Sequence, residues 1–152
     1  MFASKIGKEA KEMQAIRTSR AAIDAYVGYA AGAHGLGVAY ARLTGRHDED
    51  LLRVGFRLAG AERSERAIGY SALTAVAREL SRRNIRRVSL HIADKPFAEE
   101  IATGRGVVEV QAIAYVRLRC VLNSLGTYDI RVGNTDDLTQ RARAEVALNV
   151  AA

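Results

Sequence analysis

Residues 21–43, AAIDAYVGYAAGAHGLGVAYARL, decide the fold of this chain. Residues point alternately to two sides in the first part of this stretch, as in a β-strand. The glycine-rich segment 31–35 then leads into a second apolar run, so the stretch predicts a β-hairpin. Asp24 lies inside the first strand, where a carboxylate is costly unless it has a partner. Two interpretations stay open here: an edge strand with Asp24 in water, or a functional site.

Length and composition indicate how many domains the chain has and what class of protein it is. The chain has 152 residues, of which 49% are hydrophobic and 26% are charged, and this predicts one domain with a single core. We divide it into a basic N-terminal helix or arm, residues 1–20, and one folded domain, residues 21–152. No apolar run approaches the roughly 18 residues of a membrane span, and residues 1–20 lack the apolar core of a secretory signal. We therefore expect a soluble, cytoplasmic protein with no membrane partner.

After the hairpin, the hydrophobic period changes between two and 3.6 along the chain. A third strand is followed by an amphipathic helix, and the remaining elements alternate in the same way. Cys120, the single cysteine, lies among apolar neighbours and is predicted to be a buried hydrophobic residue without chemistry. The predicted strands are residues 22–29, 36–43, 51–59, 87–93 and 128–132, and the predicted helices are residues 64–83, 96–102, 108–125 and 135–150.

The amphipathic helix ends in a run of arginines. A solvated helix end favoured by the helix dipole and a surface for nucleic-acid phosphates are both consistent with this run. The net charge of +6 fits a polyanion partner, and an aromatic content of 6% argues against stacking on single strands, so the backbone of a duplex is the better candidate. The candidate nucleic-acid-binding residues are Arg78, Arg82, Arg83, Arg86 and Arg87.

Three further acids have ordinary structural explanations. Asp94 precedes Lys95 and Pro96, and this pattern is typical of a helix N-cap. Asp136 and Asp137 lie in the first turn of the last predicted helix, where the dipole favours negative charge.

Five local patterns in this order resemble those of the ribonuclease H family. The resemblance covers roughly residues 21–145. It consists of IDA at 23–25 for an IDG-type strand, GLGV at 35–38 for a GxGV-type strand, IGYSAL at 68–73 for an AEYxAL-type helix, DK at 94–95 for a DS-type strand end, and NTDDLT at 134–139 for the entry to a DxLA-type helix.

This resemblance implies an α/β fold with a five-stranded mixed sheet, three antiparallel strands joined to two parallel ones, and helices on both faces. It implies that Asp24 and Asp94 are neighbours at strand ends, with Asp136, or Asp137 one residue later, facing them. These carboxylates would bind Mg²⁺ or Mn²⁺ and act as the catalytic residues. The implied activity is endonucleolytic cleavage of the RNA strand of an RNA/DNA hybrid.

Gly69 departs from the family pattern, because it stands where the family has a glutamate. A glycine inside a helix costs about 1 kcal/mol relative to alanine. Glu65, one turn earlier, is a possible substitute, and Lys95 would place an ammonium group beside the carboxylates. We therefore predict a degenerate or weak metal-dependent endonuclease. Two alternatives stay open: a catalytically silent nucleic-acid binder, which needs only the fold and the arginine run, and a catalytically silent structural or assembly subunit that binds a protein partner or a second copy of itself.

Overall fold

The computed structural model describes residues 22–45, 47–58, 60 and 63–151. The predicted N-terminal helix or arm, residues 1–20, lies outside the described residues. The strands are β1 (Ile23–Ala31), β2 (Leu36–Thr44), β3 (Glu49–Arg57), β4 (Arg87–Ile92) and β5 (Thr127–Val132), and the helices are α1 (Glu65–Arg82), α2 (Lys95–Thr103), a 3-10 turn (Glu109–Gln111), α3 (Ala112–Leu125) and α4 (Asp136–Ala151).

The strands form one sheet in the order β3-β2-β1-β4-β5. β1 pairs antiparallel with β2, and β2 pairs antiparallel with β3, whereas β1 with β4 and β4 with β5 are parallel. Alternate residues of β2 are buried on opposite sides. Ala39 and Ala41 join the core cluster that contains residues of α1, while Val38 and Tyr40 pack with Leu138 of α4. The predicted mixed sheet with helices on both faces is thus confirmed.

α1 has a clear N-terminal signal and a clear buried stripe. The Ser64 hydroxyl accepts a hydrogen bond from the Ala67 N–H at 3.1 Å and so caps the first turn. Leu73, Val76 and Leu80, at helical spacing, are fully buried. Together they fix the rotation of α1 over the sheet, which decides which α1 residues face β1.

Gly28 explains how closely α4 approaches β1. A Cβ atom on Gly28 would lie 2.4 Å from the Thr139 nitrogen, so only glycine allows this contact. The approach brings the first turns of α4 beside the carboxyl end of β1.

Two predictions need correction. The predicted helix 108–125 is a 3-10 turn followed by α3. The prediction that Cys120 is buried is wrong, because Cys120 is exposed while Leu118 and Leu122 form the buried face of α3. No helix in the described part of the chain is long and apolar enough to cross a bilayer.

Candidate functional site

The parallel ladder between β1 and β4 determines which side chains are neighbours. Asp24 pairs with Ser89, and Tyr26 pairs with His91. Continued at the same offset, this register brings Tyr29 level with Asp94. Asp94 lies five residues beyond Ser89, which is about 16 Å along an extended chain at roughly 3.3 Å per residue. The prediction that Asp24 and Asp94 are neighbours is therefore wrong.

Asp24 has a local partner of its own. The His91 Nε2–H donates to the Asp24 Oδ1 at 2.9 Å, since an ionised carboxylate can only accept. The His91 ring is buried and stacks on Tyr26 with ring centroids 4.3 Å apart. This pair explains a carboxylate within a strand without any metal ion.

Asp94 lies at the carboxyl end of β4, as predicted, and it caps a helix. Its Oδ1 accepts from the Phe97 N–H at 3.0 Å, which satisfies the first turn of α2. Its Oδ2 lies 3.7 Å from the Nη1 of Arg66 on α1. The Nε of the same guanidinium lies 3.7 Å from the Oε2 of Glu100. One arginine thus stands between two carboxylates.

Two phenols complete this cluster. The Tyr70 hydroxyl donates to the Glu100 carboxylate, and burial together with this bond raises the pKa of Tyr70. Burial and the nearby charge of Asp94 raise the pKa of Tyr29 to about 12. Both hydroxyls therefore stay protonated at neutral pH, and they can donate hydrogen bonds but cannot act as bases there.

Gly69 faces this cluster from α1. A Cβ atom at this position would lie 2.5 Å from the Phe97 Cε2 and 2.8 Å from the Tyr29 hydroxyl oxygen. The aromatic side chains fill the volume that a larger residue would need. Close packing thus explains why a glycine stands inside α1.

A cleft of about 460 Å³ opens at the carboxyl ends of β1 and β4. We call it the β1–β4 cleft. Two acids and two arginines face it, so opposite charges are balanced within the cleft. Its polar lining comprises Tyr29, Glu65, Arg66, Asp94, Thr135, Thr139 and Arg143.

Asp136 and Asp137 do not line the β1–β4 cleft. Both oxygens of Asp137 accept from Arg42 of β2, at 3.0 and 2.8 Å, and Asp136 is exposed at the start of α4. Thr135, just before α4, and Thr139 in its first turn line the cleft instead. Nowhere in the described ranges do three His, Cys, Asp or Glu side chains converge as a metal site. The predicted grouping of Asp24, Asp94 and Asp136 is therefore not formed.

The residues of the β1–β4 cleft do not fit Mg²⁺ or Mn²⁺. These ions need several oxygen ligands around one point. Asp94 is the predicted acid that lies here, and its carboxylate is already shared between a helix cap and Arg66. The guanidinium also brings a positive charge into the volume that a cation would need. Lys95, expected beside the carboxylates, is exposed and forms no ion pair with any described residue.

The predicted arginine run is divided by the structure. Arg78 and Arg82 line a groove of about 270 Å³ together with Arg117 of α3, and we call this the arginine groove. Glu79 pairs with Arg82 at 3.3 Å and with Arg83 at 3.4 Å.

The other three members of the run lie elsewhere. Arg83 also pairs with Asp50 at 3.5 Å, while Arg86 and Arg87 are exposed at the start of β4 and do not line the arginine groove. Arg117 was not among the residues predicted from the sequence. The polar face of the predicted helix 108–125 was the available signal for it.

No protein-family model matches the chain, and no curated protein matches it. Solved structures do. RNase H1 from the halophilic archaeon Halobacterium salinarum superposes with a TM-score of 0.65 at 17% identity, over 84% of this chain and 98% of that one. This chain has the ribonuclease H fold.

Two further ribonuclease H structures give the same result. The LC11 RNase H1, solved in complex with an RNA/DNA hybrid, superposes with a TM-score of 0.65 at 11% identity, over 86% of this chain and 99% of that one. The N-terminal RNase H domain of a Mycobacterium tuberculosis protein, solved as a fusion with maltose-binding protein, gives 0.64 at 11% identity, over 86% and 99%. Within its ribonuclease H fold, this chain holds Arg66 and the phenol of Tyr29 at the carboxyl ends of β1 and β4.

Proposed function

We propose that this chain is a catalytically silent protein of the ribonuclease H fold that binds the phosphate backbone of an RNA/DNA hybrid or another duplex. The observation that carries the proposal is the arginine groove. Arg78 and Arg117 line it from two different helices, and neither forms an ion pair with any residue that the structure describes. Glu79, the acid of the groove, is already shared by Arg82 and Arg83.

Guanidinium groups suit phosphates in particular. Their planar N–H groups bind two oxygens of one phosphate at once, and they stay charged at any physiological pH. Unpaired arginines on a surface repel one another, so an anion that binds between them relieves this repulsion. Contacts of this kind depend on the backbone and not on the base sequence. The partner we infer is thus a duplex read by its phosphates.

The β1–β4 cleft supports the silent part of the proposal. Arg66 bridges Asp94 and Glu100, and Phe97 packs where a larger residue at position 69 would lie. Hydrolysis assisted by divalent ions needs carboxylates that are free to hold those ions. We infer that the cleft stabilises the fold and does not cleave a phosphodiester. The endonuclease that the sequence predicted is accordingly the weaker hypothesis.

An RNA/DNA hybrid is the first ligand to test, since the LC11 enzyme of the same fold was solved with one. Fluorescence anisotropy would measure the affinity for a labelled hybrid, and for the DNA duplex of the same sequence, from about 50 to 200 mM salt. Arg78→Gln/Arg117→Gln removes two groove charges. Lys95→Gln/Arg105→Gln removes two exposed charges that do not line the groove.

The groove variant should weaken binding and reduce the slope of log affinity against log salt by about 2, because each lost phosphate contact contributes about 0.9. The control variant should change the slope by much less. Equal effects of the two variants would mean diffuse attraction by the net charge. Wild-type protein that does not bind either duplex would contradict the proposal.

One observation favours the alternative, a structural or assembly subunit. Val110 in the 3-10 turn is 66% exposed, and Ile113 and Val116 in α3 are 75% and 55% exposed. Together with the exposed Cys120 they form an apolar strip that runs from the 3-10 turn along α3. Exposed strips of this kind mark contact surfaces between proteins. A second copy of the chain is the partner to test first. A dimer in sedimentation velocity that Ile113→Asp converts to a monomer, together with no affinity for duplexes, would favour assembly.

A further inference from the structure

A cavity of about 500 Å³ lies between β2, β3 and the C-terminal half of α4. It shares no lining residue with the β1–β4 cleft. Its volume is in the range of sites for small molecules. We call it the glycine cavity, because Gly55 of β3 lies in its wall.

Packing does not require a glycine at position 55. A Cβ atom added at Gly55 would meet nothing within 4 Å, whereas one at Gly28 would lie 2.4 Å from backbone and one at Gly37 would lie 2.2 Å from the Phe56 ring. The backbone of Gly55 is also not in the left-handed region that favours glycine. A glycine weakens the interior of a strand, so its presence needs another explanation. Its effect here is to leave space between Arg53 and Arg57, its neighbours on the same face of β3.

The apolar part of the wall comes from three elements. Val38 pairs with Gly55 across the sheet and is buried, and Val146 of α4 packs with it. Leu36 is 54% exposed at the mouth of the cavity. An apolar ligand that covers Gly55 would rest on Val38 and would remove the exposed parts of Leu36 and Val146 from water.

The charges around the cavity are unequal. Arg53 is neutralised by Glu145, whose oxygens lie 2.6 and 2.7 Å from the guanidinium, and these bonds lower the pKa of Glu145. The Tyr40 hydroxyl donates to the same carboxylate. Arg57 is exposed and forms no ion pair within the described ranges of the chain. The cavity thus combines an apolar wall with one unbalanced cation.

We propose that the glycine cavity binds a small amphiphilic anion. An aromatic or aliphatic body would cover Gly55 between Val38 and Val146, and a carboxylate, sulfonate or phosphate group would pair with Arg57. Gly55, Phe56 and Arg57 line both this cavity and the arginine groove. The duplex proposal rests on Arg78 and Arg117, which do not line the cavity, so Arg78→Gln/Arg117→Gln leaves the cavity intact and the two proposals can fail separately.

Two dyes that differ in charge test the proposal on the full chain. 8-Anilino-1-naphthalenesulfonate carries one negative charge, and N-phenyl-1-naphthylamine has nearly the same apolar body without it. Fluorescence titrations of both dyes would be made with wild type, Gly55→Leu, Gly55→Ala and Arg57→Gln. Ile113→Ser is the matched control for binding to the apolar strip of α3. Far-UV circular dichroism and melting curves would show which variants fold.

Wild type should bind the sulfonate at one saturable site. Gly55→Leu fills the cavity and should weaken both dyes at least about tenfold, while Gly55→Ala, with one methyl group, should give a smaller loss in the same direction. Arg57→Gln should weaken the sulfonate about tenfold and leave the uncharged dye unchanged. Ile113→Ser should bind as wild type does.

Unchanged binding to both Gly55→Leu and Gly55→Ala would overturn the proposal. If Gly55→Leu does not fold, unchanged binding to Gly55→Ala together with Arg57→Gln is sufficient to overturn it. Loss of binding in Ile113→Ser would assign the dyes to the strip on α3 and would likewise contradict the proposal.

Discussion

The guanidinium of Arg66 lies 3.7 Å from the carboxylate of Asp94, at the end of β4. In the sequence, Asp94 resembles one acid of a metal site. In the structure its charge is balanced by an arginine from α1, and the same arginine covers the Phe97 ring at 4.6 Å from its centroid. A cation is thus present beside Asp94, but it belongs to the chain itself.

Replacing Arg66 tests the structural role of this cation. Arg66→Met keeps the apolar stem but leaves Asp94 and Glu100 without their partner. We expect a loss of about 1–3 kcal/mol in the free energy of unfolding at pH 7, since the pair is only partly exposed. Urea unfolding measures this loss. Arg105→Met, at an exposed arginine, should cost less than about 0.5 kcal/mol, and equal losses in the two variants would remove the special role of Arg66.

Helix propensity and packing predict opposite effects of Gly69→Ala on stability. Helix propensity predicts that Gly69→Ala stabilises α1 by about 1 kcal/mol. The structure predicts the opposite, because the new Cβ would lie 2.5 Å from the Phe97 ring and would force a shift that costs about 1–3 kcal/mol. Thermal melting of Gly69→Ala decides between them. Gly69→Glu should be less stable still and should not gain cleavage of a hybrid with Mg²⁺; a more stable Gly69→Ala would refute the packing.

The pKa of Glu145 should depend on Arg53. The bidentate bond to Arg53 holds the pKa of this carboxyl below its ordinary value. A lowered pKa means that the interaction stabilises the fold above the unfolded value, about 4.3 for glutamate, and that this stability is lost as the pH falls through the folded pKa. Carbon-detected NMR titration should show the Glu145 pKa rising in Arg53→Gln. Arg105→Gln is the control; a Glu145 pKa that is identical in all three proteins would contradict the geometry.

The sequence predicted the order of elements well because hydrophobic period and turn signals are local. The strand at 22–29, the helix cap at Asp94 and the first turn of α4 all lie where their patterns place them. The fold class came from the resemblance of this order, and of the motifs on its elements, to the ribonuclease H family. Local signals were sufficient for all of these features.

Register across the sheet could not be predicted in the same way. The position of Asp24 relative to Asp94 depends on the register between β1 and β4, two strands that are far apart in the sequence. A three-residue motif at 23–25 contains no information about this pairing. The role of Arg66 could have been predicted from the sequence. Arg66 lies three residues before Gly69 and therefore on the same side of the helix.

Melting in the presence of Mn²⁺ tests most directly whether Arg66 has taken the place of a divalent cation. A ligand that binds the native state must raise its melting temperature. Wild type is expected to show no saturable increase with MnCl₂ beyond that seen with NaCl at the same ionic strength. A saturable increase with Mn²⁺ that Asp94→Asn abolishes would show instead that the β1–β4 cleft binds the metal ion in spite of Arg66.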